Sequence, residues 1–233
     1  KRSMSEVFLL EIGTEEIPAH FLPGILEQLE KNAAAWLAAN GVTGAATRAL
    51  GTPRRMALTI AGLPTRLPDR VEENRDPSVA VAYNAQGEAS KAAQGFARGQ
   101  GVAVEDLVTR DGYVYAIRNI AGAQTGDALS GWLVSLLDVL TFPKNMRWGD
   151  LDVRFVRPIR WLVAMLNETV LPFAYAGVTA GNLTRGHRFL SAGEIVLPAA
   201  ADYESVLARE SVIVDPAHTT CGTSRSFSST AGA

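Results

Sequence analysis

Two stretches of the chain carry apolar residues at the spacing of an amphipathic helix. In the first, apolar side chains recur every three or four residues over 22–37. In the second, five leucines and a tryptophan form one stripe over 126–140. Pro18 suits the start of the first helix and Asn40-Gly41 its end, and Thr125 can cap the second. Two shorter helices are predicted at 91–99, capped by Ser90, and at about 202–210.

Strand-forming runs are short and lie between these helices. A short apolar run rich in strand formers predicts a strand at 7–12, and alternating apolar residues predict another at 112–120. Pro158 disfavours a helix through 155–160, so that segment is predicted to lead in extended form into a buried strand at 161–166. Further strands are predicted on both sides of Gly51-Thr52-Pro53 within 43–63, and at about 170–175, 184–190, 194–197 and 212–215.

The order of these elements predicts an α+β fold, with mixed or antiparallel short-stranded sheets and packed amphipathic helices. Residues 64–78 hold three prolines and mixed charge, so we expect a loop or a boundary between subdomains there. The predicted division is an α+β subdomain at 4–75, with a natural start at Met4, and a second α+β subdomain at 76–217. Residues 218–233 are small, polar and aperiodic, which predicts a non-native or disordered tail.

The composition is that of an ordinary globular protein, with 47% hydrophobic and 20% charged residues and a formal charge of −2. The single cysteine, Cys221, excludes a disulfide framework within the chain and favours a reducing compartment. No apolar run approaches the length of a membrane span and the start lacks a signal-peptide pattern, so we expect a cytoplasmic location. One cysteine and three scattered histidines cannot form a zinc cluster at the usual spacing.

Motifs of a self-contained enzyme are missing from the sequence. Phosphate-binding glycine loops, a G-x-S-x-G elbow and an H-E-x-x-H helix are all absent. Glu11, Glu15 and Glu16 form an acidic trio that could supply a general acid and base, but a charge complement at a helix start is the favoured interpretation. A stand-alone enzyme is therefore the weakest functional hypothesis.

Positive charge is concentrated in residues 142–190, which hold seven basic and three acidic residues, whereas the rest of the chain has a net charge of −6. Six of the seven are arginines, whose planar guanidinium groups bind phosphate in a bidentate manner and stack on bases. RNA is therefore a candidate partner, and arginines paired with nearby acids are the structural alternative. Interleaved aromatic residues that could stack on a base if exposed are Trp148, Phe155, Trp161 and Phe189. Of these, Trp161 lies in the most apolar run and is predicted to be a core residue.

Six segments stand in a specific order and spacing. They are LEIGTEEIPA (10–19), TPRRMAL (52–58), SKAAQGFARGQG (90–101), FPKNMRWG (142–149), FVRPIRWLVAML (155–166) and TRGHRFL (184–190). Together they resemble the N-terminal part of the bacterial glycyl-tRNA synthetase beta subunit, over residues from about Met4 to Ala217. The resemblance implies an assembly in which the α chain uses ATP and Mg to activate glycine and the β chain is needed to charge tRNA.

On this resemblance, the chain is a non-catalytic fragment with no cofactor of its own, no catalytic residue and no metal ligand. Its implied partners are the α subunit, tRNA for glycine and the remaining β-subunit domains. No contact with a membrane is implied. The RNA-binding candidates are Arg54, Arg55, Lys144, Arg147, Arg157, Arg160, Arg185, His187 and Arg188. The alternative is a purely structural docking module without RNA contact. An editing pocket is disfavoured, because glycine is the smallest amino acid and larger ones can be excluded by size.

Overall fold

The structure, a computed structural model, describes residues 5–84, 86–143, 146–147, 154–187, 189–191 and 193–214. The strands in these residues are β1 (Glu6–Thr14), β2 (Ala46–Thr52), β3 (Arg55–Leu63), β4 (Arg70–Ser78), β5 (Val108–Arg110), β6 (Tyr113–Ile120), β7 (Met146–Arg147), β8 (Arg154–Phe155), β9 (Ile159–Leu166), β10 (Thr169–Val170), β11 (Ala174–Tyr175), β12 (Val178–Gly181), β13 (Leu183–Arg185) and β14 (Glu194–Val196). The helices are α1 (Leu22–Ala39), α2 (Val79–Ala82), α3 (Lys91–Gln100), α4 (Thr125–Asp138) and α5 (Tyr203–Arg209), with short 3-10 turns at Ala19–Phe21, Val104–Asp106 and Ala200–Asp202. The predicted tail at 218–233 lies outside the described residues.

Two compact units divide the chain. The first contains the residues up to Arg66 together with those from Gln124 onward, and the second is Leu67–Ala123. The second unit is therefore an insertion into the first. This division differs from the predicted boundary after residue 75, which falls inside β4.

The first unit is built around a seven-stranded mixed sheet in the order β11-β12-β9-β1-β3-β2, with β10 also paired to β9. The central strand β1 is antiparallel to both neighbours, so that Leu10 lies opposite Leu58 on one side and Ala164 on the other. Every residue from Phe8 to Thr14 is buried. Continuous burial is what a strand covered on both faces requires.

Helices cover this sheet. Helix α1 packs against β2 and β3 and buries Ile25 and Leu29, and Pro23 lies in its first turn, where proline is tolerated. Tyr203 and Leu207 of α5 belong to a core cluster with Leu9 and strand β9. These layers confirm the predicted α+β class, and both strongly periodic helices are present.

The second unit is a three-stranded antiparallel sheet, in the order β4-β6-β5, with α2 and α3. Its small core contains Ala82, Ala93 and Val114. The Ser90 hydroxyl accepts hydrogen bonds from the Ala92 and Ala93 amides at 3.2 and 3.3 Å, which confirms the predicted cap of α3.

Three local predictions are wrong. Residues 70–78 form a strand and not a loop, because β4 is an exposed edge strand held by backbone pairing with β6 and has no apolar alternation to reveal it. The Thr125 hydroxyl donates to the Pro64 carbonyl, and Gln124 occupies the cap position of α4. Residues 212–214 form no strand, although the Gly51 amide donates to the Val214 carbonyl at 2.9 Å. None of the described helices is long and apolar enough to cross a membrane.

Candidate nucleic-acid interface

Several of the sequence segments singled out above meet at one end of the main sheet. Antiparallel pairing sets Gly13, near the end of β1, opposite both Arg55 at the start of β3 and Trp161 near the start of β9. Strand β13 is tied to the same end, because Arg55 Nη2 donates to the Arg185 carbonyl. Residues far apart in the sequence therefore share one edge of the fold.

Gly13 makes this meeting point compact. A Cβ atom at this position would lie 2.0 Å from the Trp161 ring, so the indole packs directly against the glycine backbone. No other residue type fits there without displacing the ring. The glycine in the segment LEIGTEE is therefore required by side-chain packing across two strands.

A buried polar network lies beneath this edge. The Glu11 carboxylate is fully buried and accepts hydrogen bonds from the Trp161 indole, the Tyr203 hydroxyl, the Thr184 hydroxyl at 2.6 Å and the Arg55 guanidinium at 3.3 Å. The four donors come from β9, α5, β13 and β3. Burial, followed by the charge of Glu11, raises the pKa of Tyr203 well above its usual value. The network joins four elements to the central strand.

Glu11, Glu15 and Glu16, the acidic trio of the sequence, do not act as a charge complement at a helix start. The helix-start interpretation is wrong, because α1 begins at Leu22 and has no acidic residue in its first turn. Glu11 is the acceptor of the buried network, and Glu15 forms an exposed ion pair with Arg160. Arg55, one of the nine RNA-binding candidates, is only 3% exposed and is committed to Glu11, so we leave it out of the proposed interface.

A surface cleft of about 390 Å³ opens beside this network. Its walls come from the β2–β3 turn, the segment that follows β13 and the segment that follows α5. Arg54, His187 and Phe189 line it together with Glu16. The structure thus brings the segments TPRR and TRGHRF, both predicted from the sequence, to a single cleft.

Phe189 and His187 are both exposed residues of the cleft. The Phe189 side chain is 81% exposed, and its ring centroid lies 6.2 Å from that of His187. The Phe189 amide donates to His187 Nδ1 at 3.3 Å, which leaves Nε2 as the hydrogen-bonding nitrogen on the other side of the imidazole. An exposed aromatic ring beside an imidazole is a suitable surface for base stacking.

The other described candidate arginines do not line the cleft but lie at the same end of the main sheet. Arg157 Nε donates to the Glu16 carbonyl at 3.1 Å. Arg160 pairs with Glu15, and Arg185 pairs with Glu194 at 3.5 Å. Exposed ion pairs of this kind contribute little to stability, so the arginines can exchange a carboxylate for a phosphate at low cost.

The side chains of three candidate residues are not among those that the structure describes. Lys144 and Arg188 lie outside the described residues, and of Arg147 only the backbone, in β7, is described. Within the part of the chain that the structure describes, no group of three or more His, Cys, Asp or Glu side chains could hold a metal ion.

The four aromatic candidates separate clearly. Phe155 and Trp161 are buried, as predicted for Trp161, whereas Phe189 is exposed, and Trp148 lies outside the described residues.

Sequence reasoning missed Tyr203 completely. It lies in an ordinary amphipathic segment, and its bond to Glu11 joins residues 192 positions apart.

Comparisons with known proteins point to one family. The family described as "Glycyl-tRNA synthetase beta subunit" matches residues 8–229, which continues past Ala217, the predicted end of the native sequence. Relatives named "Glycine--tRNA ligase beta subunit" include those of Desulforudis audaxviator (46% identical over 218 residues), Desulfitobacterium hafniense strain DCB-2 (44% over 217) and Geobacter metallireducens (43% over 217). These alignments cover 92, 91 and 91% of this chain and 32, 31 and 32% of the relatives.

By their names, all of these relatives are subunits of aminoacyl-tRNA ligases. The chain belongs to the glycyl-tRNA synthetase beta subunit family, as the resemblance of its six segments predicted. It spans about a third of the length of the curated relatives that it matches.

Proposed function

We propose that this chain is the N-terminal part of a glycyl-tRNA synthetase β subunit, and that it contributes tRNA contact and subunit and domain assembly. The ATP-dependent ligation of glycine to tRNA is then carried out by the α/β assembly, in which the α chain binds ATP and Mg. The fragment itself is non-catalytic and needs no cofactor. Family membership and the coverage of about a third of each relative support this proposal.

One observation carries the tRNA contact. Five of the candidate residues, four arginines and one histidine from three segments of the sequence, lie around one end of the main sheet beside an exposed phenylalanine. They are Arg54, Arg157, Arg160, Arg185 and His187. Guanidinium groups hold phosphates in a fixed geometry, and an exposed ring gives an unpaired base a stacking partner.

A specific feature favours the alternative, a docking module without RNA contact. Leu190 and Ile213 are 72% and 60% exposed, and Ile213 lines the cleft with Phe189. Clustered apolar side chains at a surface are typical of a protein interface. The two functions differ in their salt dependence, because phosphate contacts release counterions and apolar contacts do not.

The test is a titration of the protein into labelled tRNA for glycine at low and moderate salt, with an unrelated tRNA as the control. The variant Arg160→Ala/Arg185→Ala removes two exposed cations from the proposed interface. Arg98→Ala/Arg118→Ala removes two exposed cations from the second unit and is the matched control.

We expect salt-sensitive binding by the wild-type protein and by the control variant. The Arg160/Arg185 variant should bind more weakly, and its log–log salt slope should be shallower by about two, one for each lost phosphate contact. Equal binding by both variants would reject this end of the sheet as the RNA surface. Binding that does not respond to salt would favour the docking module, and capture of the α chain would then be the next measurement.

A further inference from the structure

We infer that the cleft beside Arg54 binds one unpaired nucleotide whose base carries an exocyclic amine. The base lies against Phe189, the phosphate binds Arg54, and the amine donates to the Glu16 carboxylate. This inference rests on the proposed function, because it names the part of the RNA that the interface holds.

The first argument is the presence of two opposite charges that do not pair with each other. Arg54 and Glu16 line the same cleft, yet no ion pair joins them, and neither side chain has a polar partner among the described residues. Elsewhere at this end of the sheet, exposed arginines are paired, as in Arg160–Glu15. A cleft lined by a cation and an acceptor that do not pair with each other complements a ligand that has both an anionic group and a hydrogen-bond donor.

The second argument is the way in which Phe189 is presented. The turn that carries it is fixed by hydrogen bonds from the Leu190 and Ser191 amides to the His187 carbonyl, at 3.3 and 3.1 Å. A Cβ atom at Gly186 would lie 2.1 Å from Ser191 Oγ, so the glycine allows the turn to close. The backbone that carries the exposed phenyl ring is therefore held in a hydrogen-bonded turn, which reduces the entropy lost when the ring stacks on a base.

The third argument concerns size and base identity. A volume of about 390 Å³ is near the lower end of the range for ligand sites, which suits one nucleotide and not a duplex. A carboxylate accepts hydrogen bonds and does not donate them, so Glu16 favours the amino groups of cytosine, adenine or guanine and repels the O4 carbonyl of uracil. His187 Nε2, the donor when Nδ1 accepts, can add a contact to the phosphate or sugar.

The experiment uses the full chain and three fluorescently labelled tetraribonucleotides, of cytidine, adenosine or uridine, with anisotropy measured at low salt. We expect the cytidine and adenosine tetramers to bind at least about fivefold more tightly than the uridine tetramer. Phe189→Ala should weaken cytidine binding by about 5- to 100-fold, the range for loss of one base–aromatic stack. Leu190→Ala, in the same turn but outside the cleft lining, is the matched control and should bind as wild type.

Glu16→Gln tests base identity separately from affinity. The amide can donate to uracil as well as accept from cytosine, so the preference for cytidine over uridine should fall towards one. Equal binding of the three tetramers by the wild-type protein, or a Phe189→Ala protein that behaves like Leu190→Ala, would overturn the nucleotide site.

The two proposals fail in different ways. If tRNA binding depends on Arg160 and Arg185 but is unchanged by Phe189→Ala and Glu16→Gln, the nucleotide site is refuted and the tRNA interface stands. If the tetramers bind at the cleft but the Arg160→Ala/Arg185→Ala variant binds tRNA as tightly as the wild-type protein, the nucleotide site stands and the wider interface is refuted.

Discussion

Replacing Arg55 with methionine should destabilise the first unit more than any exposed arginine substitution. The change keeps an unbranched side chain but removes the charge that faces Glu11. It also removes the hydrogen bonds from the Arg55 guanidinium to the Thr184 hydroxyl at 3.2 Å and to the Arg185 carbonyl. The Glu11 carboxylate is then left buried without a compensating cation.

The magnitude follows from this burial. Breaking a buried ion pair by removing one partner typically costs about 3–5 kcal/mol. The Arg55–Glu11 pair belongs to this class, because its two side chains are 4% and 0% exposed. The Arg48–Glu204 pair, with 45% and 44% exposure, is the control, and Arg48→Met should cost less than about 1 kcal/mol.

Urea unfolding, followed by circular dichroism and tryptophan fluorescence, measures both free energies. A second variant, Glu11→Gln/Arg55→Met, removes both charges and keeps a side chain that can accept a hydrogen bond. It should be more stable than Arg55→Met alone by at least about 1 kcal/mol, because no charge remains buried. The reasoning is refuted if Arg55→Met costs no more than Arg48→Met, or if the double variant is the less stable of the two.

Two further predictions concern the same end of the sheet. Gly13→Ala places a methyl group in the Trp161 ring and should cost about 2 kcal/mol or more of unfolding free energy; an unchanged urea midpoint would contradict the packing described here. The folded-state pKa of Tyr203 lies above that of the unfolded chain, about 10, so the stability that its neutral hydroxyl provides is complete below pH 10 and is lost as the pH rises further. Tyr203→Phe should therefore be less stable at pH 8 and should lose less stability than wild type between pH 9.5 and 11, whereas parallel losses would count against the buried hydrogen bond.

Elements with a strong apolar period could be predicted from the sequence. The leucine stripe of α4 and the continuous apolar run of β1 are local signals, and each is sufficient by itself to predict the element. Strand β4 could not be predicted, because its stability comes from backbone pairing with β6 at an exposed edge. An edge strand of polar residues leaves no periodic pattern in the sequence.

The candidate site was predictable in part. Its segments were found because arginine and aromatic residues cluster in them, and Phe189 is exposed as base stacking requires. The separation of Arg55 from the exposed arginines was not predictable, because Arg54 in the β2–β3 turn and Arg55 at the start of β3 are neighbours in the sequence, yet only Arg55 is buried. The buried partners of Arg55, which are Glu11, Thr184 and the Arg185 carbonyl, are 44, 129 and 130 residues away in the sequence.

The insertion of the second unit has a consequence for how this chain can vary. Arg66 and Gln124 form a β-bridge at its two junctions, and the Leu67 amide donates to the Ala123 carbonyl at 2.9 Å, so the inserted segment leaves and rejoins the first unit at nearly one point. A short turn from 66 to 124 could close the same gap, because the ends already lie side by side. The inserted module can therefore be lost, exchanged or enlarged during evolution without altering the register of any strand in the main sheet.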